Sequence, residues 1–410
     1  MGDERFARAD EATRASLERL CGKLAELTGT ETADWFPTFK ARQGMRVAFG
    51  ALAARDGARR EVATQLFTCC TAVDPIVATG LAPVYGDISA ETLALDAASA
   101  PVGERTACVV LQHTFGIRDA EADAALRDRV HGAGALLLED CAHCAGHLGL
   151  DASGRPVADV SVHSFGVEKM LPTHFGGAVW VNPDMADAVL RDEIRARLAA
   201  LPALDAAHAR AARRYLNQIR ILNHLPHGVS HVLRESLRER GLFEPAIAPV
   251  ELAGGLASEP TLPGSWVADQ AFWALMATPA DEDVRSAAVR AYGEALAGLP
   301  GAPGEGAWAT SCGLGAGLPL LRVGLFLANA AAADMAVARL CAAGHYSVPW
   351  YRPLLFPGVT DEAAFGLPGG MAAALERLPV TRACSEGAVC LPTDVSPKVA
   401  REVVRLALGV

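Results

Sequence analysis

A lone lysine downstream of two acids at a strand end is the most chemically suggestive arrangement in this sequence. The stretch 136–181 reads LLLEDCAHCAGHLGLDASGRPVADVSVHSFGVEKMLPTHFGGAVWV. One apolar run ends in Glu139-Asp140 and a second in Ser164-Phe165; Lys169 comes soon after, and Gly176-Gly177 turns the chain into another strand. Pyridoxal phosphate chemistry needs this pair of groups. A lysine amine forms a Schiff base with the aldehyde, and a carboxylate keeps the pyridine nitrogen protonated so that the ring can accept electrons. A solvated surface lysine is the bland alternative for Lys169. The apolar lead-in and the glycine pair after it favour a site lysine. Asp140, at the end of an apolar strand, reads as a buried carboxylate that needs a cationic partner.

The elements that must position these groups follow from periodicity. Residues 9–28 predict an amphipathic helix with Ala12, Leu17, Leu20, Leu24 and Leu27 on one face. Gly44 opens a helix to about Arg55, which Asp56-Gly57 ends. Strand-like and helix-like segments then alternate: strand 61–67, helix 71–79, strand 82–88, strand 107–112, helix 119–131 capped by Asp119, strand 135–139. Such alternation predicts a mainly parallel sheet covered on both faces. Ligands of these sheets sit at the carboxyl ends of strands, where Asp140, His113 and Phe67-Thr68 fall. From 184 to 236 the chain is helical and arginine-rich. Pro260, Pro263 and Gly264 interrupt it before helices at 266–276 and 281–299. A glycine-rich connector, a strand at 318–327 and helices at 330–343 and 398–408 predict a smaller α/β lobe.

Composition excludes several classes. A chain of 410 residues, 51% hydrophobic, is long enough for two lobes around a large core. A formal charge of −10 argues against nucleic acid or an anionic membrane as the main partner. The longest apolar run, 318–337, is broken by Arg322, Asn329 and Asp334 and reads as strand then helix, not a membrane span. No apolar h-region follows Met1, and ten cysteines without an export signal read as reduced thiols. A cytoplasmic protein is expected.

The order Glu139-Asp140-x-Ala142-His143, Ser164-Phe165-x-x-x-Lys169, Gly176-Gly177 resembles the DegT-type aminotransferases, pyridoxal-phosphate enzymes of fold type I. Phe67-Thr68-Cys69, Ala82-Pro83-Val84, Asp87-Ile88, His113-Thr114-Phe115-Gly116, Leu378-Pro379-Val380 and Leu391-Pro392 support it in the same order. The resemblance implies an α/β fold-type I transferase: an N-terminal helical arm (1–30), a large cofactor domain (31–275) and a small C-terminal domain (276–410). It makes Lys169 the catalytic residue and implies a cofactor site of Asp140, His143, Ser164, Thr68 and Cys69, with Gly44-Met45-Arg46 as the phosphate turn. Met45 replaces the family's threonine there, and Cys69 stands where the family stacks an aromatic ring, which leaves stacking to His143. The family's Asn-Tyr-Arg loop, by which one subunit reaches its partner's phosphate, has no counterpart. The arginine-rich helix with Arg213, Arg214 and Asn217 is the nearest replacement.

The resemblance thus implies a homodimeric aminotransferase moving an amino group from an amino-acid donor, glutamate foremost, to a keto sugar or related keto compound, with a nucleotide as carrier of the sugar. A regulatory protein that binds pyridoxal phosphate without turnover, or a lyase-type enzyme, are the alternatives. Zinc is a further competitor, because Cys141-x-His143-Cys144-x-x-His147 has ligand-like spacing. No second cysteine pair lies at suitable spacing, and no metal is expected.

Overall fold

Continuous apolar runs form the central sheet. The computed structural model describes residues 3–55, 57–304 and 306–410, apart from the side chain of His227. Asp56, expected to end the second helix, lies outside them. Helix α1 (Glu11–Thr28) is capped by Asp10, whose side chain accepts from the Thr13 N–H, and closes on Gly29 at φ 67°. Then come β1 (Trp35–Thr38), α2 (Ala41–Arg55), β2 (Glu61–Thr64), the short α3 (Asp74–Ala78) and β3 (Ala82–Tyr85). They are followed by β4 (Thr106–Gln112), α4 (Ala120–Gly132), β5 (Leu136–Cys141), β6 (Val160–Ser164) and β7 (Gly177–Val181). Asp119 caps α4 as expected, accepting from the Glu121 and Ala122 N–H groups.

These strands make one seven-stranded sheet in the order β1-β7-β6-β5-β4-β2-β3, with β7 antiparallel to both of its neighbours. Every residue of β4, β5 and β7 is buried, as two-sided cover requires. Each buried Leu or Val of such strands contributes about 1.5–3 kcal/mol. The strand β1 was not expected; it includes Pro37 and is tolerated because it lies at the sheet edge.

Three helices follow, α5 (Ala188–Ala199), α6 (Ala206–Leu222) and α7 (His227–Glu239), and then α8 (Ser265–Leu296). The two helices expected at 266–276 and 281–299 are one, running through Pro279. Proline forfeits one backbone bond, but α1 packs on α8, as does α12 (Pro397–Leu408) at the chain's end, and this packing holds it continuous. The boundary expected after residue 275 therefore falls inside α8. The smaller lobe has a three-stranded antiparallel sheet, β10-β9-β8, built from β8 (Trp308–Ala309), β9 (Arg322–Phe326) and β10 (Ala388–Pro392). Around it lie α9 (Ala330–Ala342), α10 (Gly370–Leu375) and α11 (Pro379–Gly387). The molecule is thus an α/β protein with a mainly parallel sheet and a smaller C-terminal α/β lobe.

Candidate active site

One cavity opens at the carboxyl ends of the large sheet, lined by Lys169, Asp140, His143, Ser164, Thr68, Cys69 and Met45. Asp140 is the penultimate residue of β5 and pairs with Val162 of β6, so Ser164 ends the neighbouring strand at the same rim. The loop after β2 is tied down by polar side chains. Thr68 donates to Gln112 Oε1, and Gln65 Nε2 donates to the Phe67 carbonyl at 2.9 Å and the Leu93 carbonyl at 3.1 Å. Thr68 and Cys69 thereby stand opposite the end of β5.

Opposing influences act on the Lys169 amine. Burial takes its pKa below the ordinary lysine value, although Cys69, Asp140 and Glu168 oppose the shift. His143 Nδ1 accepts from the Phe115 N–H at 3.0 Å, which leaves the proton of a neutral ring on Nε2. That Nε2 lies 3.1 Å from Lys169 Nζ and 3.1 Å from the Tyr351 hydroxyl. Burial, then the charges of Lys169 and Arg322, hold His143 well below its usual pKa, so the ring stays neutral. Asp140 is 5% exposed, accepts from the Ala142 N–H at 2.9 Å, and forms no ion pair among the described residues. Burial raises its carboxyl against the pull of that N–H, Lys169 and His113. A buried acid in this state needs a cation to remain ionised.

The smaller lobe supplies the facing wall, which sequence reasoning missed. Trp350, Tyr351 and Phe356 line the cavity, and Phe356 is clamped to the β2 loop: its N–H donates to the Thr68 carbonyl at 2.8 Å, and the Cys70 N–H donates to its carbonyl at 3.0 Å. The His143 ring lies within 5–7° of parallel to Phe115, Trp350 and Tyr351, at centroid distances of 6.0–6.2 Å. Of these rings, His143, Trp350 and Tyr351 line the cavity. Cys69 Sγ accepts from Thr71 Oγ1 at 3.0 Å. Hydrogen bonding from Cys70, the charge of Lys169 and the Thr71 bond lower its pKa against burial.

The expected phosphate turn is corrected. The helix α2 begins at Ala41, so Gly44 lies inside it, where a Cβ would overlap Val179 Cγ2 of β7. Gly44 is therefore a packing glycine. Arg46 turns away from the cavity and pairs with Glu259 at 3.0 Å, where Glu259 is largely exposed. Of the three, only Met45 lines the cavity. The turn at the helix start is Lys40-Ala41-Arg42, and it approaches β7 so closely that a Cβ on Gly177 would lie 2.6 Å from Ala41 Cα and N. Lys40 and Arg42 both line the cavity.

Of the four residues with zinc-like spacing, Cys141 and Cys144 stay in contact, but the two histidines have other partners. His143 faces Lys169, while His147 Nε2 pairs with Glu282 at 2.5 Å. Among the described residues, the group close enough to share an ion is His113, Glu139 and Cys141. His113, however, spends both nitrogens as donors, Nε2 to Glu139 at 2.6 Å and Nδ1 to the Ile117 carbonyl at 3.0 Å. Burial opposes its charge, but Asp123, Cys144 and Glu139 carry its pKa up to about 10. This is a buried ion pair, and His113 has no lone pair to offer a metal.

The fold is shared with solved aminotransferases. It superposes on the aminotransferase TlmJ from Streptoalloteichus hindustanus with a TM-score of 0.65 and 21% identity, covering 100% of this chain and 97% of that one. Residues 17–199 match the DegT/DnrJ/EryC1/StrS aminotransferase family, which bears out the resemblance found in the sequence. The chain is 31% identical over 175 residues to GDP-perosamine synthase from Vibrio cholerae, covering 40% of this chain and 46% of that protein. It is 33% identical over 150 residues to the spore coat polysaccharide biosynthesis protein SpsC of Bacillus subtilis (strain 168), covering 36% of this chain and 37% of the relative. These matches span less than half the length of either relative.

Proposed function

We propose that the protein is a pyridoxal-phosphate-dependent aminotransferase that takes an amino group from an amino-acid donor, glutamate foremost, and delivers it to a keto sugar or related keto compound. The observation that carries this reading is the half-buried Lys169, whose amine lies 3.1 Å from a neutral His143 and in one cavity with Asp140, an acid without an ion pair among the described residues. The donor set fits the cofactor at three points: Lys169 for the aldehyde, Asp140 for the ring nitrogen, and Ser164 with the start of α2 for the phosphate. The similarity to a GDP-perosamine synthase supports a nucleotide-linked sugar as acceptor.

Bound there, pyridoxal phosphate would supply an electron sink for the carbanion left when an amino acid loses its Cα proton. The remaining tasks fall to the chain. Once deprotonated, which burial favours, Lys169 Nζ has the lone pair needed for nucleophilic attack and, after release, for carrying a proton. With Lys169 deprotonated, His143 Nε2–H can donate toward Nζ and fix its direction, while the Phe115 N–H fixes the ring tautomer. Asp140 would pair with the ring nitrogen of a bound cofactor and keep it protonated. Trp350, Tyr351 and Phe356 cover the cavity from the small lobe and exclude water.

We also infer a homodimer. Val229, Val232 and Leu233 of α7 are 50%, 66% and 41% exposed, apolar side chains that a second subunit would cover. Arg213 and Arg214 are exposed on α6, outside this cavity. No helix among the described residues is long and apolar enough to cross a membrane; a cytoplasmic location remains the expectation from the sequence. The test of the activity is spectroscopic. Protein reconstituted with pyridoxal phosphate should lose its visible absorbance on addition of glutamate or another amino donor and regain it with a keto sugar. An absorbance indifferent to every amino acid would overturn the aminotransferase assignment.

A further inference from the structure

The cavity's second cation cluster lies at the start of α2 and is already occupied by carboxylates. Lys40 Nζ lies 2.6 Å from Glu244 Oε1, with side chains 8% and 10% exposed, and donates to the Pro245 carbonyl at 3.1 Å. Arg42 lies 2.6 Å from Glu251 and donates to the Ala246 carbonyl at 2.7 Å. Ala246 and Ile247 line the same cavity. The chain from 244 to 251 therefore folds back over the site and puts its acids on both cations.

The two acids are held differently. Glu251 Oε2 also accepts from the Ala248 N–H at 2.6 Å, which ties it to the start of its own short helix. It is a fixed part of the loop. Apart from Lys40, the ionisable side chain paired with Glu244 is His208, at the longer distance of 3.9 Å. Glu244 is the carboxylate that can be exchanged.

Lys40 stands where a phosphate would arrive. Thr38, Gly177 and Ser164 lie in register across β1, β7 and β6, and Lys40 follows Thr38 by two residues and is bridged to Gly176. A phosphate monoester offers three acceptor oxygens and close to two negative charges. The helix start, the Ser164 hydroxyl and the Lys40 ammonium could share them. A carboxylate can satisfy the ammonium alone.

We propose that Lys40 is this chain's receptor for a phosphate monoester and that Glu244 occupies it as an internal carboxylate until the phosphate displaces it. The proposal rests on the cofactor reading for the ligand's identity, but it concerns a different end of the cavity from Lys169. It also accounts for the lysine and arginine at the start of α2, where a backbone turn alone would be expected.

The test compares pyridoxal phosphate, pyridoxal and inorganic phosphate, binding being followed by absorbance for the aldehydes and by calorimetry for phosphate. Glu244→Gln should tighten pyridoxal phosphate and inorganic phosphate by about tenfold and leave pyridoxal unchanged. Lys40→Met should weaken both phosphate-bearing ligands by at least about tenfold, again sparing pyridoxal, and Lys40→Arg should restore most of the loss. In the Lys40→Met background, Glu244→Gln should bring no further gain. Melting curves identify any variant that fails to fold, and the conservative Glu244→Gln and Lys40→Arg changes then decide. Equal effects on pyridoxal and its phosphate, or no effect of Glu244→Gln on either phosphate ligand, would overturn the proposal. If neither aldehyde forms an adduct at Lys169, the cofactor reading fails instead, and the inorganic phosphate arm still decides the role of Lys40.

Discussion

Glu139→Gln tests whether the buried pair behind Asp140 is an ion pair. Glu139 accepts from His113 Nε2 at 2.6 Å and also from the Gly149 N–H and the Ser161 hydroxyl, with His113 and Glu139 both fully buried. Glutamine keeps the shape and removes the charge, leaving an imidazolium without its counter-ion. Breaking a buried pair in this way costs about 3–5 kcal/mol; the retained amide contacts place the expected loss near the lower end. The pH dependence provides the signature. The pKa of His113 is raised from 6.5 to about 10 in the fold, so its stabilisation is complete below pH 6.5 and is lost as pH rises toward about 10. Burial works to raise Glu139, but the His113 bond and charge, with Ser161, hold it down at about 2, so its contribution is present above 4.5 and lost as pH falls toward about 2. The stability gap between wild type and variant, measured by urea unfolding, should be widest between about pH 5 and 7 and narrow on both sides. A gap that stays constant from neutral pH to pH 10, or one under about 1 kcal/mol at neutral pH, would refute a buried charge pair.

Other outcomes follow from the same geometry. Asp140→Asn should weaken pyridoxal phosphate binding and lower kcat by about a hundredfold or more in steady-state assays, because the ring nitrogen loses its anion; a near-normal rate would mean that another acid serves it. Gly44→Ala should cost about 1–3 kcal/mol in unfolding experiments by overpacking against Val179, with cofactor affinity per folded molecule unchanged. Tyr351→Phe removes a hydroxyl 3.1 Å from His143 Nε2 and should shift the pH profile of kcat while leaving the melting temperature nearly unchanged.

Much of the fold was visible in the pattern because β4 and β5 are each built on a continuous apolar stretch, Ala107–Leu111 and Leu136–Leu138, and α4 carries an explicit cap at Asp119. The order of Asp140, His143, Ser164 and Lys169 could be read because all four sit near ends of adjacent strands, where local sequence dictates position. The start of α2 was not legible. No Ser, Thr, Asp or Asn sits immediately before Ala41, and its geometry depends on tertiary contacts such as the Lys40–Gly176 bridge. Gly44 was mistaken for a turn because close helix–sheet packing and a tight turn both call for glycine. Trp350 and Tyr351 carried no local signal; they reach the cavity from the smaller lobe, far along the chain. Glu244 and Glu251 were equally silent, since their pairing with Lys40 and Arg42 depends on how a long irregular segment folds back.

The central claim is that Lys169 is the amine that holds the cofactor aldehyde. Borohydride reduction of the reconstituted protein, followed by peptide mapping, tests it most directly. The account predicts one stoichiometric phosphopyridoxyl label on the peptide containing Lys169, absent from Lys169→Ala. Label on a different lysine, Lys40 included, or no label after saturation with pyridoxal phosphate, would contradict it.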